Sequence, residues 1–243
     1  MKYSHFLILL VLTSCQLTPQ DMVLIPAGEF TLGTSTLESS PRFLSERTSS
    51  QNAQPMQQYK LDAFYIDRHE VTYEQFLKFK PQSEYQDGKP DEPRRGVSWF
   101  EADAYCLWLK KRLPTEFEWE KAARGPKGNL FVWGNEFHRE YTNMGKTVKP
   151  VGSTVNDRSF YDVYDMNGNV SEWTASAYKP YPGSKHEDPN FGERYKVIRG
   201  GSIQKNEHGF MPEFGMLFYR NYAPPGLRMW DTGFRCAKST ESK

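Results

Sequence analysis

The residues best equipped for chemistry fall in one short turn, in the cysteines and in one acidic–imidazole stretch. Asp165-Met-Asn-Gly-Asn-Val-Ser-Glu172 gathers two carboxylates, two side-chain amides and a glycine. Calcium takes about six to eight oxygen ligands in flexible geometry. A tight turn of this composition can aim side-chain and backbone oxygens at one point. It is not an EF-hand loop, because Gly168 comes too early and Ser176 stands where the closing Glu belongs. The plainer reading of the same residues is an Asn-Gly turn with a capped acidic end.

Sulfur is scarce: the chain has three cysteines, Cys15, Cys106 and Cys236. In an exported protein Cys106 and Cys236 can form a disulfide, worth about 4–5 kcal/mol for so long a loop; the alternative is two separate buried thiols. Glu207, His208 and Glu213 could be drawn as a carboxylate–imidazole iron site, but that chemistry wants two His and one carboxylate. Only His208 lies in that stretch, while His69, His138 and His186 are scattered. No Ser-His-Asp order with a supporting motif, phosphate loop or zinc spacing is present.

The N-terminus carries an address. Lys2 precedes an apolar run from Phe6 to Leu12, too short to span a bilayer and typical of a secretory signal. It ends in Leu12-Thr13-Ser14-Cys15, which resembles the bacterial lipobox, in which the Cys becomes the lipidated N-terminus. Gln16, rather than Asp, follows it and directs the expectation to the outer membrane. The chain therefore divides into a signal peptide (1–14), a lipidated tether (15–21) and one domain (22–239). With a formal net charge of +1 and no basic run, nothing points to nucleic acid.

The elements that must position these residues are also legible. Aromatics make up 15% of the chain, with 18 Gly and 16 Pro, which predicts a loop-rich fold with rings filling its core. Met22 to Gly33 reads as strand, Pro-Ala-Gly turn and strand, Ser35 to Gln58 as a long exposed loop, and Tyr59 to Arg68 as a strand. Capping boxes at Thr72/Gln75, Ser98/Glu101 and Thr115/Glu118 open three helices, expected to reach about Lys80, Lys111 and Gly125. Ala102, Tyr105, Cys106 and Leu109 share one face of the second. Further strands are expected at Tyr195–Arg199, Met216–Tyr219 and Thr232–Ala237. The aromatic stretch Phe210–Trp230 reads as core filling or as a partner-facing patch. The fold class is α+β.

Five segments in order resemble the formylglycine-generating, or sulfatase-modifying-factor, family: Met22-Val-Leu-Ile-Pro-Ala-Gly-Glu-Phe; His69-Glu-Val-Thr72; Gly96-Val-Ser-Trp99 through Lys111-Arg-Leu-Pro-Thr-Glu-Phe-Glu-Trp-Glu-Lys-Ala-Ala-Arg-Gly125; Tyr164 through Thr174; and Arg199-Gly-Gly-Ser202 with Gly233-Phe-Arg-Cys-Ala237. The resemblance covers roughly residues 22–238 and implies a variant of the C-type-lectin-like fold. It implies a Cys106–Cys236 bridge and the loss of a second family bridge, since Ala123 stands at one of its positions. It implies calcium at Asp165 and Glu172 through carboxylates and at Gly168 and Val170 through carbonyls. The family's other calcium site keeps only its first half, Asn143 and Met144. The two copper-binding thiols of the family's enzymes fall near Lys205 and Phe210, where no cysteine occurs, so copper is not expected. Ser202, Lys205, Glu207 and His208 mark the altered pocket. The resulting expectation is a non-catalytic, calcium-stabilised binding or scaffold lipoprotein of the bacterial cell envelope with a protein partner. The alternatives are a non-haem iron or copper oxidoreductase and a lectin-like surface binder.

Overall fold

A computed structural model describes residues 21–35, 49–82, 88–203 and 212–240. The signal segment, Cys15, Lys205, Glu207, His208 and Phe210 lie outside the described residues. No helix among those described is long and apolar enough to cross a membrane.

The chain opens with β1 (Met22–Ile25) and β2 (Gly28–Leu32), joined by the expected turn. The stretch expected as one strand from Tyr59 is two, β3 (Gln57–Leu61) and β4 (Phe64–Asp67), broken at Asp62-Ala63. The break lets the halves pair separately, β2 with β3 and β1 with β4, all antiparallel. The preceding loop is not wholly exposed: residues 49–53 form a 3-10 turn in which Asn52 and Ala53 are buried.

All three capping boxes form in both directions, opening α1 (Tyr73–Phe79), α2 (Trp99–Trp108) and α3 (Glu116–Arg124). The second helix stops short of Lys111. Lys110 takes a left-handed φ of 55°, and the Lys111 N–H turns back onto the Cys106 carbonyl at 2.8 Å. These bonds use carbonyls that the helix end leaves open.

The second half is strand and turn: β5 (Ser171–Ala177), β6 (Lys196–Arg199), β7 (Asn221–Ala223), β8 (Thr232–Gly233) and β9 (Ala237–Ser239). Three sheets result, in the orders β1-β4-β9, β2-β3 and β7-β6-β5-β8. Three expectations need correction. Strand β5 is not among the expected strands; its first two residues, Ser171 and Glu172, belong to the acidic turn. Met216–Tyr219 is not a strand: it follows a 3-10 turn at Pro212–Gly215 and buries Met216, Leu217 and Phe218. Thr232–Ala237 is split between two sheets, with Phe234, Arg235 and Cys236 bridging them.

The core joins the halves. Tyr105, Cys106, Phe76, Trp173, Ile198, Phe234 and Cys236 pack in one cluster, and Trp119, Ala122, Ala123, Ile66 and Leu217 in another. Cys106 and Cys236 are disulfide-bonded across 130 residues, tying α2 to the entrance of β9. The aromatic stretch is mainly core from Met216 to Phe218, while Leu227 and Trp230 stand outside it. Arg199, fully buried, donates to Glu120 Oε2 at 2.6 Å and to the Leu217 carbonyl at 2.7 Å. That pairing stitches β6 to α3 and fixes the start of the Arg-Gly-Gly-Ser segment.

Candidate functional site

The acidic loop leaves β4 and α1 behind it and runs into β5. Asp165 and Asn169 both take left-handed φ, 60° and 61°, which short polar side chains tolerate best. Between them Gly168 passes so close to its neighbours that a Cβ would lie 2.6 Å from Thr142 Oγ1 and 2.7 Å from Asn143 Oδ1. The composition of the turn is therefore a steric requirement as well as a chemical one.

Four carboxylates meet around this loop, two of which the sequence did not single out. Glu172 is bound by Arg235 on both oxygens, at 2.7 Å from Nε and 2.6 Å from Nη2, and Trp119 Nε1 donates to it at 2.9 Å. Asp165 Oδ2 accepts the Gly152 N–H at 2.6 Å. Glu70 accepts the Val170 N–H at 3.1 Å and Asn169 Nδ2 at 2.9 Å. Asp157 accepts the Asn167 N–H on both oxygens, at 2.9 and 3.1 Å. All four are buried, and the Arg235 guanidinium is the cation whose field reaches the other three besides its partner Glu172. Burial pushes the Asp165 carboxyl up to about 6, against the Gly152 hydrogen bond that lowers it. Burial, then Asp165 and Glu172, hold Glu70 well above the carboxylate range; burial and then Asp165 do the same to Asp157. The Arg235 pKa is raised as well: desolvation lowers it, and Glu172 together with Glu70 and Asp165 more than offsets that loss. The signals for the missed residues were present: Glu70 lies in the His-Glu-Val-Thr segment and Arg235 in the Gly-Phe-Arg-Cys-Ala one.

Calcium can be tested against this arrangement. Burial favours the neutral forms of Glu70, Asp157 and Asp165, so a hard cation binding here would have to draw the carboxyls into their ionised forms. Among the described residues no three His, Cys, Asp or Glu side chains converge on a common metal position. An ion here would therefore rely on backbone carbonyls, which calcium accepts and zinc does not favour. The residues expected in that role, Asp165, Gly168 and Val170, all lie on this one turn. Glu172 fits it less well, because its carboxylate is already an ion-pair partner of Arg235.

The rest of the expected site separates. Asn143 spends its amide on the neighbouring turn, accepting the Asn169 N–H at 2.7 Å and donating to Asn169 Oδ1 at 3.1 Å. Met144 is buried against Gly201 and Gly215. Asn169 is fully buried with both amide atoms bonded. Ser202 donates to Asp231 Oδ2 at 2.7 Å. Glu213 is buried, and its Oε1 has no hydrogen-bond partner among the described residues. His69 lines an adjoining cleft with Asp21, Asp67, Leu109, Lys111 and Glu70, the last shared with the acidic loop; burial lowers its pKa to about 4, so it is neutral at physiological pH.

The chain is 37% identical over 157 residues to the inactive Cα-formylglycine-generating enzyme 2 of Mus musculus, covering 59% of this chain and 48% of that protein. It is 38% identical over 167 residues to a hercynine oxygenase of Mycobacterium tuberculosis, covering 63% and 38%. The matched segments thus span about half or less of these relatives' own length. Among solved structures, PvdO from Pseudomonas aeruginosa superposes with a TM-score of 0.68 at 26% identity, covering 90% of this chain and 94% of PvdO. The α+β, formylglycine-generating type of fold expected from the five segments is the one the chain adopts. Residues 10–240 match the Sulfatase-modifying factor enzyme 1-like domain, and with the order of segments, the bridge and the fold in agreement, the chain belongs to that family.

Proposed function

We propose that this protein is a non-catalytic binding or scaffold module, stabilised by calcium at the Asp165 loop and anchored to the cell envelope through a lipid on Cys15. The observation that carries the reading is the fate of sulfur. Copper(I) oxidation of a peptide thiol needs soft thiolate ligands. The domain has two cysteines, and both are consumed in the Cys106–Cys236 bridge. The similarity to a relative named as inactive supports the same reading. What remains is a rigid, disulfide-tied base with exposed connections, and loops on such a base are where binding residues collect. The expected partner is another envelope protein.

The test is direct. Purified protein, supplied with copper(I), oxygen and a sulfatase-derived cysteine peptide, should yield no aldehyde by mass spectrometry; turnover above the background of heat-inactivated protein would overturn the reading.

A second reading draws on the relative named hercynine oxygenase and on the Glu213 oxygen that has no hydrogen-bond partner among the described residues. It makes the chain an iron-dependent oxygenase using His208, Glu207 and Glu213. Metal analysis separates the two: calcium without iron supports the binding module. Stoichiometric iron that disappears in His208→Ala supports the oxygenase.

A further inference from the structure

The surface of α2 is unusual for a helix whose other face is core. Ala102, Tyr105 and Cys106 are buried, yet Phe100, Leu107 and Trp108 stand 57%, 59% and 50% exposed on the opposite side. With Ala104, also exposed, they follow the i, i+4, i+7, i+8 spacing of one helical stripe. The ring of Phe79 from α1 lies 5.7 Å from that of Trp108 and extends the stripe sideways. Scattered exposed apolar residues need no explanation, but a contiguous patch does. Cations rim this one. Lys78, Lys80, Lys110 and Arg228 are all exposed, and Lys80 and Arg228 both pair with Glu101 at the start of the helix. Trp and Phe among Lys and Arg is the composition of a surface that meets the headgroup region of a bilayer.

The position of the tether decides the occupant. Asp21 shares a cleft with Leu109 and Lys111, which immediately follow α2. Five residues lie between Asp21 and Cys15, a reach of about 20 Å even when extended. A bilayer holding a lipid on Cys15 is thereby brought to the end of the helix that carries Leu107 and Trp108.

We infer that the Phe100–Ala104–Leu107–Trp108 face of α2 rests on the anionic lipid surface to which the chain is tethered, holding the domain in one orientation on the membrane. The inference rests on the reading of Cys15 as lipidated. The anchor limits where the domain can go, so the face needs only weak intrinsic affinity, because the tether makes the second contact intramolecular. The acyl chains on Cys15 supply the attachment, and an apolar patch with a basic rim adds a fixed orientation to it.

The lipidated full chain, reconstituted in vesicles of brominated phosphatidylcholine and phosphatidylglycerol, provides the test. Bromine quenches tryptophan at the interface, so fluorescence should fall relative to unbrominated vesicles of the same headgroups. Leu107→Glu, which leaves every tryptophan in place, should reduce that quenching by about twofold or more, as a charge is forced into the contact. Trp108→Phe should remove most of the quenchable signal while the domain stays docked. Removing phosphatidylglycerol should weaken the effect through the lost attraction for Lys80, Lys110 and Arg228. The variants should keep the wild-type melting temperature to within a few degrees, because these side chains are exposed.

Failures are distinguishable. If wild-type protein expressed with its signal is washed off membranes by alkaline carbonate, the lipid anchor is refuted and the docked orientation falls with it. If it is retained but brominated lipid does not quench it, or quenches Leu107→Glu equally, the docking is refuted and the anchor stands. In the latter case the stripe is free for a protein partner.

Discussion

Arg235 illustrates how much of the acidic loop depends on one side chain. It binds both oxygens of Glu172 and donates to the Tyr164 carbonyl at 2.8 Å, while Glu70 and Asp165 also face it. Removing one partner of a buried pair leaves the other charged and unsolvated, at a cost of about 3–5 kcal/mol. Arg235→Leu should therefore lower the melting temperature by roughly 10 °C, as followed by circular dichroism. Calcium should recover part of that loss if the ion binds the same carboxylates. Asp165 gives the complementary test. Its folded pKa of about 6 lies above the usual 3.8, so the folded state holds the proton more tightly than the unfolded chain. The stability this contributes is fully present below about pH 4 and is lost as pH rises through about 6. In chelator the melting temperature should drop over that window, and Asp165→Asn should flatten the drop. Saturating calcium should reverse the trend, because the ion requires the ionised carboxylate. A slope unchanged by both the substitution and calcium would remove Asp165 from the site.

At the scale of elements, the bridge and the turn carry the testable burden. The Cys106–Cys236 link closes a loop of 130 residues between α2 and β9. The double variant Cys106→Ala/Cys236→Ala should lose about 4–5 kcal/mol in urea unfolding on the chain-entropy account. The effect should appear in the unfolding midpoint rather than in calcium affinity, because neither sulfur touches the acidic loop. Gly168→Ala should affect both. Its Cβ would strike Thr142 and Asn143 and come 3.3 Å from Asp157 Oδ2, shifting the turn itself. A loss of about 1–3 kcal/mol is expected, with a weaker calcium response measured by isothermal titration. The three capping boxes explain why the helices were readable: each satisfies backbone N–H groups with side chains a few residues away. Strand β5 was unreadable for the opposite reason. Its partners, β6 and β8, arrive from far along the chain, and its burial follows from them rather than from alternation.

The whole molecule is a loop-rich fold made rigid by long-range ties. Arg199 to Glu120, Arg235 to Glu172, Lys111 to Asp67 and the disulfide each join segments distant in sequence. Such a scaffold can lose its relatives' chemistry and keep its shape. That is why family membership alone does not settle activity, and why the peptide-oxidation assay and metal analysis matter. At this scale the further expectation is cellular. Cys15→Ala should shift the protein from the membrane fraction to the soluble one while leaving its fold intact by circular dichroism. Continued retention would contradict the lipid anchor.

What the sequence determined by itself was whatever is encoded locally or by count. Three capping boxes fix three helix starts, the Pro-Ala-Gly turn divides two short strands, and the absence of cysteine between Cys106 and Cys236 fixes the lack of a thiol pair near the Arg-Gly-Gly-Ser segment. These need no knowledge of distant contacts. Only the tertiary structure decided that Glu172 belongs to Arg235, that Glu70 and Asp157 join Asp165, and that Asp21 shares a cleft with Leu109 and Lys111 just past α2. Electrostatic and packing partners are chosen by proximity in space, and no spacing along the chain records which buried charge will face which.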